Sequence, residues 1–423
     1  MPKAPRVRHH QPTPSDQAQI RPARGGRVDR IDSLRALAMG AVIAQHCKIL
    51  PFGWIGVWLF YVISGFVVTA SLLARPKDET RGRLLGGFYA RRAARIWPIY
   101  LVYVLAGFLV SAPVAGHLEW PQFASLAFFY NNLQAAFADG TFKGFPVGHL
   151  WTISVEFQFY LVFGLAFAML PRRALAALLV VFLFASPLLR FLGGEALQAA
   201  HYPAGRAAFA IYTISPMHFD SFAAGALLAL GRSAWAKPGR ARALLMVGAA
   251  AMVAYACAYV GLNRAHGIAG VAAFRGVISG ILIGDERQVW LYSAVAALSA
   301  GVLAVVLAGE RALAPITEAR WLQAVGRVSY GGYVYHMLVV KLVGEFLRLV
   351  AHPGVSMAAK LEFGALRFAI AAPLTVGLAM LSYRYVERPI IAAVNRRLAS
   401  AQNSRDASIS VPSSQPTPKR QAQ

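Results

Sequence analysis

The sequence is poor in charged residues, and above all in acidic ones. Only 14% of its 423 residues are charged, with 18 Asp and Glu against 42 Lys and Arg. A soluble enzyme of this length would need far more charge, whereas a hydrophobic content of 57% is typical of a polytopic membrane protein. The formal net charge of +24 does not indicate nucleic acid binding, because the Arg and Lys lie in short clusters between apolar runs. We interpret these clusters as topology signals and contacts with membrane lipids.

Cysteine is also scarce. Cys47 and Cys257 both lie inside apolar runs, which indicates neither a disulfide framework nor a metal site. Residues 1–30 lack an apolar core, so we expect a disordered basic segment rather than a signal peptide or a folded domain. Residues 391–423, first basic and then rich in polar residues, are expected to form a disordered tail. The predicted membrane domain therefore covers residues 31–390.

Apolar segments long enough, or nearly long enough, to cross a bilayer recur along that domain, and we count about ten. The predicted fold is therefore all-α, a polytopic membrane helical bundle. The predicted spans begin near Leu34, Gly53, Pro98, Leu150, Ala174, Phe219, Ala243, Trp290, Gly332 and Phe368. The stretch 267–283 fits either a re-entrant segment or a further span. If the N-terminus is cytoplasmic, alternate loops carry the arginines, which predicts a multi-pass membrane protein with both termini in the cytoplasm.

The first predicted span carries two ionisable residues. Asp32 and Ser33 have N-cap chemistry, so the helix is predicted to begin near Leu34. Arg35 would then lie in the first turn, and His46 on the same face roughly 17 Å further along the axis. A neutral imidazole can accept a hydroxyl proton, which makes His46 the candidate general base, with a satisfied core histidine as the alternative.

Glu156 follows an interfacial tryptophan in a span of opposite direction. We expect it at a depth compatible with His46, where its carboxylate would orient the imidazole. The alternative is a buried ion pair with Arg35 or another cation.

Arg91, Arg92 and Arg95 form a basic cluster at a membrane surface. Three guanidinium groups in this position suit the phosphates of a cosubstrate. A positive-inside signal explains such a cluster equally well, and both interpretations stay open.

Three further residues are candidates for a substrate channel. Ser64 precedes Gly65 in a bulky helix, where close helix packing is the simpler explanation and a nucleophilic role has weak support. Tyr333 and His336 lie in a stretch of glycines and aromatic hydroxyls, which also fits helix packing and interfacial aromatics.

Several motifs occur in a fixed order. They are Arg35 followed after ten residues by His46, VWLFYVISGF at 57–66, FYARRAARIWPIY at 88–100, LWTISVEFQFY at 150–160, GRVSYGGYVYH at 326–336 and SYRYVERP at 382–389. Together these segments resemble the integral membrane acyltransferase family 3, over about residues 30–388. The family includes bacterial O-antigen, exopolysaccharide and nodulation-factor acetylases.

The resemblance implies an O-acyltransferase that moves an acyl group, usually acetyl, from cytosolic acetyl-CoA to a hydroxyl of a carbohydrate or glycolipid acceptor. His46 and Arg35 match the catalytic pair of the family, and Arg92 and Arg95 match its Arg-x-x-Arg pair. His46 would either deprotonate the acceptor or accept the acyl group itself. No metal is implied, and the acceptor is expected to meet this domain directly or through a separate periplasmic transferase or glycan-assembly protein.

A transporter is the competing hypothesis. Intramembrane Arg, His and Glu would also serve as a proton relay for a small anion or a lipid-linked sugar. The lack of an evident internal duplication and the basic cluster at Arg91 favour the enzyme.

Overall fold

The computed structural model describes residues 27–409 except 77, 139–140, 236, 351–353 and 355. The disorder predicted for residues 1–26 and 410–423 therefore lies outside the described residues. The helices are α1 (Arg27–His46), α2 (Ile55–Leu73), α3 (Arg81–Ala115), α4 (Trp120–Ala127), α5 (Asn131–Phe137), α6 (Trp151–Met169), α7 (Arg172–Ala199), α8 (Ala204–Thr213), α9 (Phe219–Leu230), α10 (Arg232–Trp235), α11 (Pro238–Ala265), α12 (Gly270–Ile278), α13 (Arg287–Ala308), α14 (Ala314–Thr317), α15 (Arg320–Arg327), α16 (Ser329–Val350), α17 (Met357–Ser382) and α18 (Arg388–Ile409).

The predicted all-α membrane bundle is confirmed, whereas fewer helices than predicted have the length and composition of a span. Seven helical stretches of the described chain are long and apolar enough to cross a membrane. They are α2, α3, Gly148–Met169, α7, α11, α13 and Met357–Ala401. The other three predicted spans are the helices α1, α9 and α16. Helix α9 has only 12 residues, and α1 and α16 bury polar side chains such as Asp32 and His336 inside the bundle.

The stretch 267–283 contains only the nine-residue helix α12. A helix of that length rises about 14 Å, less than half the hydrocarbon thickness of a bilayer. It therefore does not form the further span that was one of the two expectations.

The first helix begins earlier than the capping pattern predicted. It is already helical at Arg27, the first residue that the structure describes, so Asp32 and Ser33 lie inside the helix and do not cap it. Asp32 accepts a hydrogen bond from Arg35 at 2.9 Å, and Ser33 donates to the carbonyl of Thr317 at 3.0 Å. Arg35 therefore lies about two turns inside α1, and His46 is the last residue of the helix.

The chain beyond residue 390 is helical rather than irregular as far as Ile409. A π-helical turn, Tyr383–Glu387, joins α17 to α18. Pro389 lies in the first turn of α18, where its missing N–H costs little. Because α18 packs against α3, it extends the bundle by about 20 residues past the predicted boundary.

Helices α2 and α9 cross at two glycines near the centre of the bundle. A Cβ on Gly65 would lie 2.0 Å from the carbonyl oxygen of Phe222, and one on Gly225 would lie 1.9 Å from that of Val62. Only glycine permits this backbone approach, which is the usual device for close packing in membrane helices. Close packing therefore explains Gly65, and the crossing fixes the position of the neighbouring Ser64.

Candidate active site

A cavity of about 100 Å³ lies between α1, α2, α3, α6 and α16. Six of the predicted site residues line it, namely Arg35, Ser64, Arg92, Arg95, Glu156 and Tyr333. These residues come from distant parts of the chain, so their convergence is a result of the tertiary fold.

The carboxylate of Glu156 is bound by two hydroxyl groups. Ser64 and Tyr160 both donate hydrogen bonds to its Oε1, and the guanidinium of Arg92 lies over the ring of Tyr160 at 5.8 Å. Among the described residues, Glu156 has no hydrogen bond to His46. The expected orientation of the imidazole by this carboxylate is therefore wrong, because Glu156 is directed towards α2 at Ser64.

A second and wider pocket of about 340 Å³ adjoins the cavity. Arg35, Arg92 and Arg95 line both spaces. Arg91 and Arg327 line only the wider pocket, which we call the arginine pocket. Arg327 was not predicted as a site residue, although it lies in the motif at 326–336 that contains Tyr333.

The arginine pocket has little negative charge. Asp32 is its one acidic residue among the described residues, and it is paired with Arg35 at 2.9 Å. In the described part of the chain, Arg91, Arg92, Arg95 and Arg327 form no ion pair. These four guanidinium groups therefore make no salt bridge with a carboxylate of the described residues, although the charges of Asp32, Glu79 and Glu387 reach three of them.

The nearby carboxylate of Glu79 is engaged elsewhere. Arg75 donates two hydrogen bonds to it, at 2.8 and 2.5 Å. These bonds lower the pKa of Glu79. Arg75 is therefore the hydrogen-bonded partner of Glu79, whose charge also reaches Arg91 in the arginine pocket.

His46 belongs to a cluster of three histidines. Its ring centroid lies 5.2 Å from that of His336, which lies 4.8 Å from that of His149. His149 was missed by sequence reasoning, although it directly precedes the motif that contains Glu156. In this cluster His46 is partly exposed, whereas His336 and His149 are buried.

Backbone carbonyls fix two of these rings. His336 Nδ1 donates to the carbonyl of Tyr333 at 2.6 Å, and His149 Nε2 donates to that of Val334 at 3.0 Å. The other nitrogen of each ring, Nε2 of His336 and Nδ1 of His149, is buried without a hydrogen-bond partner among the described residues. Within the described chain no group of three or more His, Cys, Asp or Glu residues has the arrangement of a metal site.

His46 is the last residue of α1, and this end of the helix lies beside α16 and α17. Its neighbour His336 lies seven residues after the start of α16, and Gly364, which packs on the carbonyl of Cys47, lies seven residues after the start of α17. His46 is therefore held at the carbonyl end of α1, with its ring against that of His336.

Tyr333 separates the cavity from the histidines. It lines the cavity, and its ring centroid lies 5.2 Å from that of His336 and 5.8 Å from that of His149. Its hydroxyl accepts a hydrogen bond from Thr152 at 2.8 Å and donates to the carbonyl of His149 at 3.3 Å. The site thus consists of the arginine pocket, the cavity with Glu156, and the histidine cluster, in that order.

Comparison with known proteins identifies the family. The acyltransferase domain matches residues 28–384, which is most of the chain. The peptidoglycan O-acetyltransferase OatA of Listeria monocytogenes is 27% identical over 394 residues, which cover 86% of this chain and 56% of that protein. The O-acetyltransferase OatA of Staphylococcus aureus is 23% identical over 381 residues, with 85% and 56% coverage.

The chain spans only somewhat more than half the length of these two relatives. No solved structure matches it. The match to the domain nevertheless contains every predicted site residue, from Arg35 to His336. The chain therefore belongs to the integral membrane acyltransferase family 3.

Proposed function

We propose that this protein is a membrane O-acyltransferase that moves an acetyl group from acetyl-CoA to a hydroxyl of a carbohydrate or glycolipid. The relatives are named as O-acetyltransferases, and one as acting on peptidoglycan. The observation that carries the proposal is that the arginine pocket, the cavity and the histidine cluster are adjacent, with Tyr333 between the last two, so that together they provide sites for an anionic donor and for a base.

The arginine pocket is the proposed donor site. Four arginines that form no salt bridge with a described carboxylate suit a ligand with several phosphates, since each guanidinium can hold two phosphate oxygens. Acetyl-CoA carries such phosphates at one end and its thioester at the end of a long arm. The shared residues Arg92 and Arg95 would direct this arm from the pocket into the cavity.

The histidine cluster is the proposed reaction site. His46 would accept the proton of the acceptor hydroxyl as its oxygen attacks the thioester carbonyl carbon. The bond between that carbon and sulfur then breaks, and the imidazolium returns the proton to the departing thiolate. Transfer through an acetylated His46 remains the second route, with the same overall products.

Glu156 has a different proposed role from the one expected. Because Ser64 and Tyr160 hold its carboxylate, we place it in the wall of the donor cavity and not beside His46. There it would position the donor arm through these two hydroxyl groups.

The direction of transfer follows from the proposed donor. Since acetyl-CoA is cytosolic, the arginine pocket would face the cytoplasm of a bacterial cell, with both ends of the described chain on that side. The positive-inside rule favours the same orientation. The acceptor, alone or with a separate periplasmic transferase, would approach His46 from the opposite end of the bundle.

The test is acetyl transfer from radiolabelled acetyl-CoA in membranes with matched amounts of wild type and His46→Ala. We expect label in extracted glycan or glycolipid with the wild type. Loss of a general base typically costs 10²- to 10⁴-fold in rate, so we expect His46→Ala to fall roughly that far. Equal labelling by the two proteins would remove His46 from the chemistry, and absence of label with several acyl donors would favour the transporter.

A further inference from the structure

A second basic group lies beside His46, away from the arginine pocket. Arg367 is on the face of α17 that carries the buried residues Gly364 and Ala371. Its Nε donates to the carbonyl of Val340 at 2.8 Å, one helical turn beyond His336 on α16. A Cβ on Gly344 would lie 2.7 Å from its Nη2, so packing against α16 holds the guanidinium in place.

Lys48 approaches the same region from the end of α1. It follows His46 by two residues, in a left-handed backbone conformation with φ of 69°, and its side chain is exposed. On α17, Gly364 lies one turn before Arg367 and packs on the carbonyl of Cys47, the residue between His46 and Lys48. Lys48 and Arg367 therefore both lie at the His46 end of α1, and both interact electrostatically with His46.

These two cations have no carboxylate partner among the described residues. Glu345, whose charge reaches Arg367, is paired with Arg348 at 2.7 Å. An uncompensated pair of cations beside a candidate base favours an anionic ligand.

The phosphates of the proposed donor are not this ligand. Arg35, which lines the arginine pocket, and His46 are separated by eleven residues of one helix, or roughly 17 Å. The donor phosphates would bind at the Arg35 end, whereas Lys48 and Arg367 lie at the His46 end. The anion at this end would therefore belong to the other substrate.

We propose that Lys48 and Arg367 bind a carboxylate or phosphate group of the acceptor and thereby present a neighbouring hydroxyl to His46. The inference rests on the proposed function and specifies its acceptor as an anionic glycan or glycolipid. Charge-assisted hydrogen bonds are about twice as strong as neutral ones, so the two residues would select this acceptor over a neutral one of the same shape.

The test is competition in permeabilised membranes that contain the protein and its acceptor. Acetyl transfer from radiolabelled acetyl-CoA is measured with increasing glucuronate, glucose 1-phosphate or glucose. We expect at least one anionic sugar to inhibit the wild type at a concentration about tenfold lower than glucose. The more potent of the two anionic sugars distinguishes a carboxylate from a phosphate on the acceptor.

Substitutions then test which residues cause the preference for an anionic sugar over glucose. We expect it to disappear in Arg367→Gln and Lys48→Gln while the KM for acetyl-CoA stays unchanged. Arg367→Lys, which keeps the charge, should retain selectivity and so control for folding. Lys360→Gln removes an exposed charge two turns away on α17 and should behave as wild type.

Two results would overturn the inference alone. In one, glucose inhibits the wild type as strongly as both anionic sugars. In the other, the selectivity survives in the double variant Lys48→Gln with Arg367→Gln. A wild type that transfers no acetyl group at all would instead refute the proposed function, and this inference with it.

Discussion

Removing single arginines from the arginine pocket should weaken donor binding in a position-dependent way. Arg91 and Arg327 line only the wide pocket, whereas Arg95 also lines the cavity. The long donor would enter with its thioester arm first, so the outer arginines would meet the 3′-phosphate of its nucleotide. Arg95 would meet the diphosphate nearer the arm.

The pocket contains five arginines and one described carboxylate, Asp32, which pairs with Arg35. The other four guanidinium groups form no salt bridge with a described residue and can therefore bind phosphate, although Arg92 and Arg95 also lie over the rings of Tyr160 and Tyr330. A hydrogen bond to a charged group contributes about 1.5–3 kcal/mol, which corresponds to a change in KM of roughly 10- to 150-fold. We expect this increase for acetyl-CoA on Arg327→Gln and on Arg95→Gln.

The assay compares acetyl-CoA with acetyl-3′-dephospho-CoA in the same membranes. Arg327→Gln should raise the KM for acetyl-CoA only, because the dephosphorylated donor lacks the group that Arg327 binds. Arg95→Gln should raise the KM for both donors. Arg397→Gln, an exposed change on α18, is the control, and equal KM values in all variants would refute the assignment of this pocket to the donor.

Three other substitutions test the packing and the boundary of the site. In Gly225→Ala the new Cβ would approach a backbone oxygen to 1.9 Å, which is 1.5 Å short of the 3.4 Å of ordinary contact. We expect the free energy of unfolding to fall by about 3 kcal/mol or more, seen as a lower melting temperature in detergent. The control Gly40→Ala, with open space around the new Cβ, should leave the melting temperature unchanged. Tyr333→Ala opens the cavity to the histidine cluster, so it should raise the ratio of acetyl-CoA hydrolysis, measured without acceptor, to glycan labelling. Tyr333→Phe keeps the ring and should not raise this ratio. Similar hydrolysis by the two variants would contradict the role of Tyr333 as a barrier. Asp220→Asn should lower the free energy of unfolding by about 3–5 kcal/mol, because it leaves the fully buried Arg190, 2.8 Å from Asp220, without its counter-ion. An unchanged melting temperature would show that this pair is not needed for stability.

The membrane character and the family could be predicted from the sequence because they depend on local chemistry. A bilayer requires long apolar helices whatever their neighbours are, so composition and segment length were sufficient for the all-α bundle. The motifs around Arg35, Ser64, Arg92, Glu156 and Tyr333 are likewise short and local. These motifs identified the residues as candidate site residues without any knowledge of how the helices pack.

Helix boundaries were less predictable where polar residues have other partners in the folded protein. Asp32 and Ser33 have the chemistry of an N-cap, but Asp32 pairs with Arg35 on the same helix and Ser33 donates to the carbonyl of the distant Thr317. Similarly, α9 is too short for a span and is held in the bundle by its glycine contact with α2. A prediction from hydropathy identifies such helices by their composition alone, whereas their stability comes from the neighbouring helices that bury them.

The partners of the site residues depended on how the helices pack. Equal depth in the membrane made Glu156 and His46 compatible, but depth leaves the rotation of each helix about its axis undefined. Packing directed Glu156 to Ser64, and it brought His46 together with His336 and His149. Residue types and their order therefore identified the chemistry that this chain carries, whereas the contacts between distant helices decided which side chains meet.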